Sequence, residues 1–527
     1  MKLVKSLLLG SATGLTVVAG AQAADLPVKK AIPVEYVRVC SAYGAGFFYI
    51  PGTDTCLRIS GRARFEAGYV QSYNRNTTTG DTTQYRGLAR FNLDARTQTA
   101  YGTLRAFTRL EVASRTGQHM TSGTQQRIGN AFPALGPDTF GRAQQYVNVD
   151  KAFVQFAGLT AGRASSFFDF YAHDFEIMAI SLGSDVASTN LLAYTAKFGE
   201  GWSATLSLED PTFRFQPVFS SISNQATANS SFNVFTNSAS LSPVANAFNA
   251  AGLPTSGVYY DVTQKNRTPD FVGALRLDQA WGSAQLSAAV HEVGIGQPTG
   301  TLFGLNGGTA SLAPVRRPSN EHGWAVQGGV KLNLPFIAPG DALYLQGAYG
   351  EGAISYTGFQ SYTATELQFS TLNQNTPFVQ YFNDAVINPI TGKMELSTSF
   401  TVVASFLHYW SPEWRSAFYG SYGELSYSKS ARAALSISNP AIGGNVPPSF
   451  LTNPSGYLLS PVLRDVNQLV TGASLIWSPV KDLDIGVEGL YTRVGLLQGR
   501  TPDLTRPNVT VNSQDAFQVR ARVQRDF

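Results

Sequence analysis

From Leu57 onward, apolar and polar residues alternate with a period of two. Over 57–70, Leu57, Ile59, Ala63, Phe65, Ala67 and Tyr69 fall on one face, and Arg58, Ser60, Arg62, Arg64 and Glu66 on the other. That is the spacing of a β-strand whose two sides meet different surroundings. Residues 515–527 repeat it, with Phe517, Val519, Ala521, Val523 and Phe527 set against Gln518, Arg520, Arg522, Gln524 and Asp526. Similar segments lie near 85–98, 102–112, 147–156, 159–164, 190–198, 202–209, 270–280, 283–291, 322–333, 342–350, 396–409, 414–424, 465–477 and 483–493. The pattern predicts sixteen strands.

The joins between these strands alternate in length. Short ones fall at 99–101, 157–158, 199–201, 281–282, 335–341, 411–413 and 478–482. The others are long and rich in Asn, Ser, Thr, Gly and Pro, above all 210–269, 351–395 and 425–464. An even number of antiparallel strands, with short turns at one rim and long loops at the other, predicts an all-β fold, a 16-stranded transmembrane barrel of the outer-membrane type. A propeller or a stack of sandwiches does not need this alternation. Closure also leaves no unpaired strand edge in hydrocarbon. Trp202, Trp281, Trp410, Trp414 and Trp477 stand beside short turns, and only Trp324 does not. An interfacial girdle explains that placement; ordinary core aromatics at strand ends would also produce it.

Composition removes the other broad classes. Only 14% of the 527 residues are charged, against roughly a quarter in soluble domains. Hydrophobic residues reach 43%, yet mean hydropathy is −0.07, so they are interleaved with polar ones. Beyond the first two dozen residues no apolar run approaches the roughly 18 residues a spanning helix requires. Aromatic content of 12% and a formal charge of +4 argue against disorder. Residues 1–23 read as a signal peptide: Lys2 and Lys5, an apolar stretch from Leu7 to Ala19, and the cleavage triplet Ala21-Gln22-Ala23. Export would start the mature chain at Ala24 and lower the formal charge to +2, which argues against a nucleic-acid partner. It would also carry Cys40 and Cys56 into an oxidising compartment, where a bridge could contribute about 3 kcal/mol. Two free structural thiols are the alternative.

Certain segments carry a family likeness. Ala24-Asp25-Leu26-Pro27, then Pro33-Val34-Glu35-Tyr36-Val37-Arg38-Val39-Cys40 and Tyr49-Ile50-Pro51-Gly52-Thr53-Asp54-Thr55-Cys56, resemble the mature N-terminus of the alphaproteobacterial trimeric general porins. Ser478-Pro479-Val480-Lys481-Asp482-Leu483 and the final Phe527 resemble their C-terminal part, and Leu159 to Tyr171 is similar to the segment that leaves their fifth strand. The resemblance implies a water-filled channel in the outer membrane, a homotrimer, a disulfide near the N-terminus and a third loop, 165–189, folded into the barrel. It divides the chain into a signal peptide, a periplasmic segment 24–56 holding Cys40 and Cys56, and a barrel over 57–527. The surrounding lipid and lipopolysaccharide would be its other partners. Passive diffusion of small hydrophilic solutes and ions is the implied function.

Charge placement suggests where such a channel narrows. Arg58, Arg62 and Arg64 on the first strand, Arg86, Arg90 and Arg96 on the second, and Arg105 and Arg109 on the third all point to the polar side. Closure would add Arg520 and Arg522 to the same wall. The third loop carries Asp169, Asp174, Glu176 and Asp185 and no Lys or Arg. Opposed walls of this kind would set up a transverse field that sorts solutes by charge. The plainer reading is that several of these arginines only pair with Glu66, Asp94 and Glu111 or sit near a rim.

Catalytic chemistry is thin. The histidines at 119, 173, 291, 322 and 408 are scattered, H-E-x-x-H is absent, and two cysteines do not make a zinc site alone. G-x-S-x-G, Walker-type and G-x-G-x-x-G loops are absent, so no enzyme, metal or cofactor is expected. Two alternatives remain: a substrate-specific channel for a sugar or an anion, and a lipid hydrolase using His408 and Ser416 on the outer face of the barrel.

Overall fold

The alternating segments pair in chain order. The protein is described here by a computed structural model covering residues 38–527 except 71–82, 117–143, 186–187, 217, 221–246, 249–253, 257–259, 263, 266, 296–301, 304–311, 314–318, 360–381, 389–390, 433–462 and 504–508. The signal-peptide reading, His119 and most of the segment before Cys40 lie outside the described residues. Sixteen barrel strands are present: β1 (Cys56–Val70), β2 (Thr83–Thr99), β3 (Gly102–Thr116), β4 (Gln144–Phe156), β5 (Leu159–Ala164), β6 (Thr189–Gly199), β7 (Trp202–Glu209) and β8 (Asp270–Gln279), then β9 (Gly282–Val293), β10 (Glu321–Asn333), β11 (Ala342–Glu351), β12 (Thr398–Tyr409), β13 (Trp414–Ser426), β14 (Val466–Val480), β15 (Leu483–Leu496) and β16 (Ser513–Asp526). Each is antiparallel to the next, and β16 closes on β1 from Arg62↔Asp526 to Val70↔Gln518. Closure satisfies every strand edge, as hydrocarbon requires.

The two faces follow the sequence parity. Ile59, Phe65, Tyr69, Phe91 and Leu93 are exposed outward, while Glu66, Arg86 and Asp94 are buried inside. Trp202, Trp281, Trp410, Trp414 and Trp477 are all outward at the short-turn rim, and Trp414 stacks on Trp477 with centroids 5.8 Å apart. Phe527 continues the closure seam by exchanging backbone hydrogen bonds with Gly61 at 2.8 and 3.0 Å. Its ring lies on that glycine, where an added Cβ would stand 2.4 Å from Phe527 Cζ.

At the same rim a clip of residues 38–56 is tied by a Cys40–Cys56 disulfide. Phe48–Tyr49 pairs with the start of β1, Cys40, Phe47 and Cys56 are buried together, and the Arg96 guanidinium lies 4.9 Å over the Phe47 ring. The cysteines are 16 residues apart, so reduction should cost the clip about 3 kcal/mol. We expect faster chymotryptic cleavage at Phe47 after reduction or in Cys40→Ser, with barrel conductance unchanged.

At the other rim, long loops turn inward. L3 (165–188), L4 (210–269), L6 (352–397) and L7 (427–465) contribute Met178, Leu182, Phe219, Ile354, Phe359, Phe382, Val386 and Leu463 to an apolar core inside the barrel, against inward residues of β13–β16 such as Val470, Leu490 and Val494. Short strands of L4 and L6 form a small sheet in the order 260–262, 218–220, 385–387, 394–396. Among the described residues this core fills part of the lumen, and a gap remains along the inner faces of β1–β4 and the lower parts of β12–β16.

Candidate functional site

The open side is built from rungs of arginine. Antiparallel register sets Glu66 opposite both Arg86 and Arg522, and its fully buried carboxylate pairs with the two of them. Arg62 pairs with Asp526 at 2.6 Å and Arg90 with Glu111 at 2.6 Å. Asp94 receives Arg96 at 2.8 Å and Arg105 at 2.9 Å. Arg109 donates to Asn92 at 2.9 Å and reaches Asp150 at 3.3 Å. Two cations have only neutral partners: both Nε and Nη2 of Arg64 donate to Gln524 Oε1, and Lys151 Nζ donates to Ser165 Oγ at 2.6 Å. Among the described residues neither makes an ion pair.

L3 crosses the lumen from β5 to β16, held mainly by polar side chains of the wall. Gln285, Ser287 and Gln327 donate to the Phe168 carbonyl, and Gln346 Oε1 accepts from the Tyr171 N–H. The Ile177 and Met178 N–H groups donate to Glu488, Leu182 N–H to Ser421, and Arg522 donates to the Ile177 carbonyl. This is the pairing any backbone polar group needs once it leaves water. Gly329 makes room for the crossing: a Cβ there would stand 2.4 Å from the Phe170 ring.

Between L3 and the arginine rungs lies a cavity of about 460 Å³. From the wall, Arg62, Arg64, Arg90, Arg109, Lys151 and Arg522 face it; from L3, Asp174, Glu176 and Asp185 do. Asp174 is exposed and accepts from Tyr344 Oη at 2.9 Å. Glu176 is buried. Burial opposes its ionisation, but His173, Ser181 and Tyr171 hold its carboxyl below the usual range. Asp185 sits 4.0 Å from His173 Nε2.

The geometry thus gathers eight of the residues anticipated from charge placement, and six lie elsewhere. Arg58 is exposed at the short-turn rim beside the clip. Arg96 and Arg105 are spent on Asp94 near the same rim, and Arg86 is buried against Glu66. Arg520 is buried within the wall. Asp169 does not face the arginine wall: it turns to the buried Arg214 of L4 at 2.8 Å, an interaction that sequence periodicity does not report because neither loop has any. Glu66, Asp94 and Glu111 do each hold arginines of the wall, while Arg62 and Arg109 take other carboxylates and Arg64 takes Gln524.

Lys151 escaped the sequence reading, although its signal is visible. Two polar residues in a row, Asp150 and Lys151, interrupt the alternation of β4, and the β3–β4 register shifts there, so both side chains face the cavity. Arg415, paired with Asp484 at 2.6 Å, completes the lining at the short-turn side. On the outer face His408 does hydrogen-bond Asp341 at 2.7 Å, but the Ser416 hydroxyl accepts from Trp410 Nε1 at 2.9 Å, and Trp410 also packs on the His408 ring.

The family model described as the porin subfamily matches residues 25–519. The chain belongs to that subfamily. Among curated proteins, this porin is 38% identical over 213 residues to Porin Omp2b of Brucella canis, covering 39% of this chain and 54% of that one. It is 32% identical over 292 residues to Porin Omp2b of Brucella suis, covering 53% and 64%. The matches thus span 54% and 64% of the length of these relatives, less than two thirds in each case. The outer membrane channel DcaP of Acinetobacter baumannii has the same fold, with a TM-score of 0.53 at 13% identity over 91% of this chain and 99% of that one. Membership places this porin in the outer membrane as a closed antiparallel barrel.

Proposed function

We propose that this porin forms a water-filled channel through which small hydrophilic solutes and ions diffuse passively, without an enzymatic step, and that it assembles as a homotrimer among outer-membrane lipid and lipopolysaccharide. The signal peptide 1–23 and a periplasmic clip, 24–56, belong to the same reading. One observation carries it: L3 crosses the lumen and leaves a gap of about 460 Å³ between Arg62, Arg64, Arg90, Arg109 and Arg522 on one side and Asp174, Glu176 and Asp185 on the other. We take that gap as the constriction. Liposome swelling with sugars of graded size tests the function. A cutoff set by size alone supports diffusion, saturable entry of one sugar points to a specific channel, and lipid cleavage without swelling overturns both. A native mass near that of one barrel overturns the trimer.

Selectivity follows from the uncompensated charges. In a narrow space a unit charge a few ångströms from the ion matters by about 1 to 4 kcal/mol. Arg64→Gln and Lys151→Gln should move reversal potentials in planar bilayers toward cations, and Asp174→Asn toward anions. Arg58→Gln, set away from the gap, should leave them in place. Low salt should enlarge each shift because screening weakens.

A further inference from the structure

The gap is not polar all round. Phe175 and Ile177 of L3, Leu407 of β12 and Ile476 of β14 also line it, and Phe175, Leu407 and Ile476 remain partly exposed there. The patch is built. Phe175 is fixed by Tyr344 and Tyr171, with ring centroids 5.2 and 6.4 Å away. Ile177 is held at both backbone groups, its N–H by Glu488 at 2.7 Å and its carbonyl by Arg522. A guanidinium facing the gap therefore touches the edge of the apolar surface.

The sign of the charge beside this patch can be read from the pairings. Glu111, Asp150 and Asp484 are each taken by an arginine. Glu176 is buried among Tyr171, Ser181 and the N–H groups of Ile180 and Ser181. On the cationic side, Arg64 and Lys151 hold only Gln524 and Ser165, both neutral, and Arg522 shares one carboxylate with Arg86. Asp174 and Asp185 also face the gap from L3, so cations on the wall side, carboxylates on the loop side and a small apolar surface share one gap, with Arg522 the cation in contact with the apolar surface through the Ile177 carbonyl.

We infer that the gap favours amphiphilic monoanions, small carboxylates bearing a compact apolar group, with the carboxylate toward Arg64 and Arg522 and the apolar group on Phe175, Leu407 and Ile476. This rests on the channel reading above. A solute that covers those side chains regains the free energy of removing apolar surface from water, which a hydroxylated solute of equal size does not.

The test is the zero-current potential of the purified full chain in planar bilayers under gradients of sodium acetate, butanoate and benzoate. Free diffusion makes permeability fall with size. The expected result is a benzoate permeability equal to or above that of acetate. Leu407→Asn with Ile476→Thr should lower the benzoate-to-acetate ratio about three- to tenfold, as loss of several tens of square ångströms of apolar contact implies. Phe175→Ser, on the loop and not the wall, should lower it in the same direction, and potassium chloride conductance identifies the variants that have inserted. A steady fall with size in wild type overturns the inference, and so does a preference for benzylammonium over benzoate. Absence of any potassium chloride conductance in wild type overturns the channel reading itself.

Discussion

Glu66→Gln destabilises the barrel by about 3 to 5 kcal/mol, read as a lower urea midpoint in detergent micelles, since removing one member of a buried ion pair leaves its partners charged and uncompensated. Glu66 has no exposure, Arg86 almost none, and Arg522 donates to the same carboxylate at 2.9 Å. Glutamine keeps the shape and loses the charge, so two guanidiniums face each other near a third, the buried Arg520. Adding Arg86→Met to the variant should recover part of the loss, because it removes one of the stranded cations; the coupling is measured by the double-mutant cycle. An unchanged midpoint for Glu66→Gln would show that water reaches the wall and screens it.

A second large effect is expected from pH at the docked outer loops. Asp384 of L6 is fully buried and accepts from the Gln216 N–H, the Ile354 N–H and Gln264 Nε2 at 3.0, 2.9 and 2.6 Å, with His291 Nε2 3.7 Å away. Burial pushes its carboxyl up to about 7 against the pull of these donors. A folded value raised above the ordinary carboxylate range favours docking below about pH 4, and that contribution is lost as pH rises through about 7, a change on the order of 4 kcal/mol. A nitroxide on Thr391→Cys, at the tip of L6, should be immobile at about pH 5 and freer at about pH 8. Asp384→Asn should remove the difference, and equal mobility at both pH values in the parent would contradict the assignment.

The barrel was legible because each strand meets lipid on one side and water or loops on the other, and that contrast writes itself into alternate residues. Arg58 to Glu66 and Arg520 to Asp526 show it plainly, and parity alone placed Arg62, Arg64, Arg90, Arg109 and Arg522 toward the gap. Height along a strand was not legible. Arg58 and Arg64 share a face, yet one sits by the clip and the other in the gap, since only cross-strand register decides depth. The inward loops were less readable still. Arg214 of L4 pairs with Asp169 of L3, and Gln264 of L4 with Asp384 of L6, through contacts that no local period encodes. Gln285, Gln327 and Gln346 stand within strands whose alternation says nothing of a partner, and their role as anchors for L3 emerges once the loop is seen lying on them.

The apolar core that L3, L4, L6 and L7 build against β13–β16 uncouples bore from circumference. Strand number sets how large a ring is cut out of the bilayer, but here part of that ring is occupied by folded chain, and the gap that is left lies between L3 and the inner faces of β1–β4 and β12–β16. Conductance in such an architecture can drift over evolutionary time through loop sequence alone, with no strand gained or lost and the lipid-facing surface untouched.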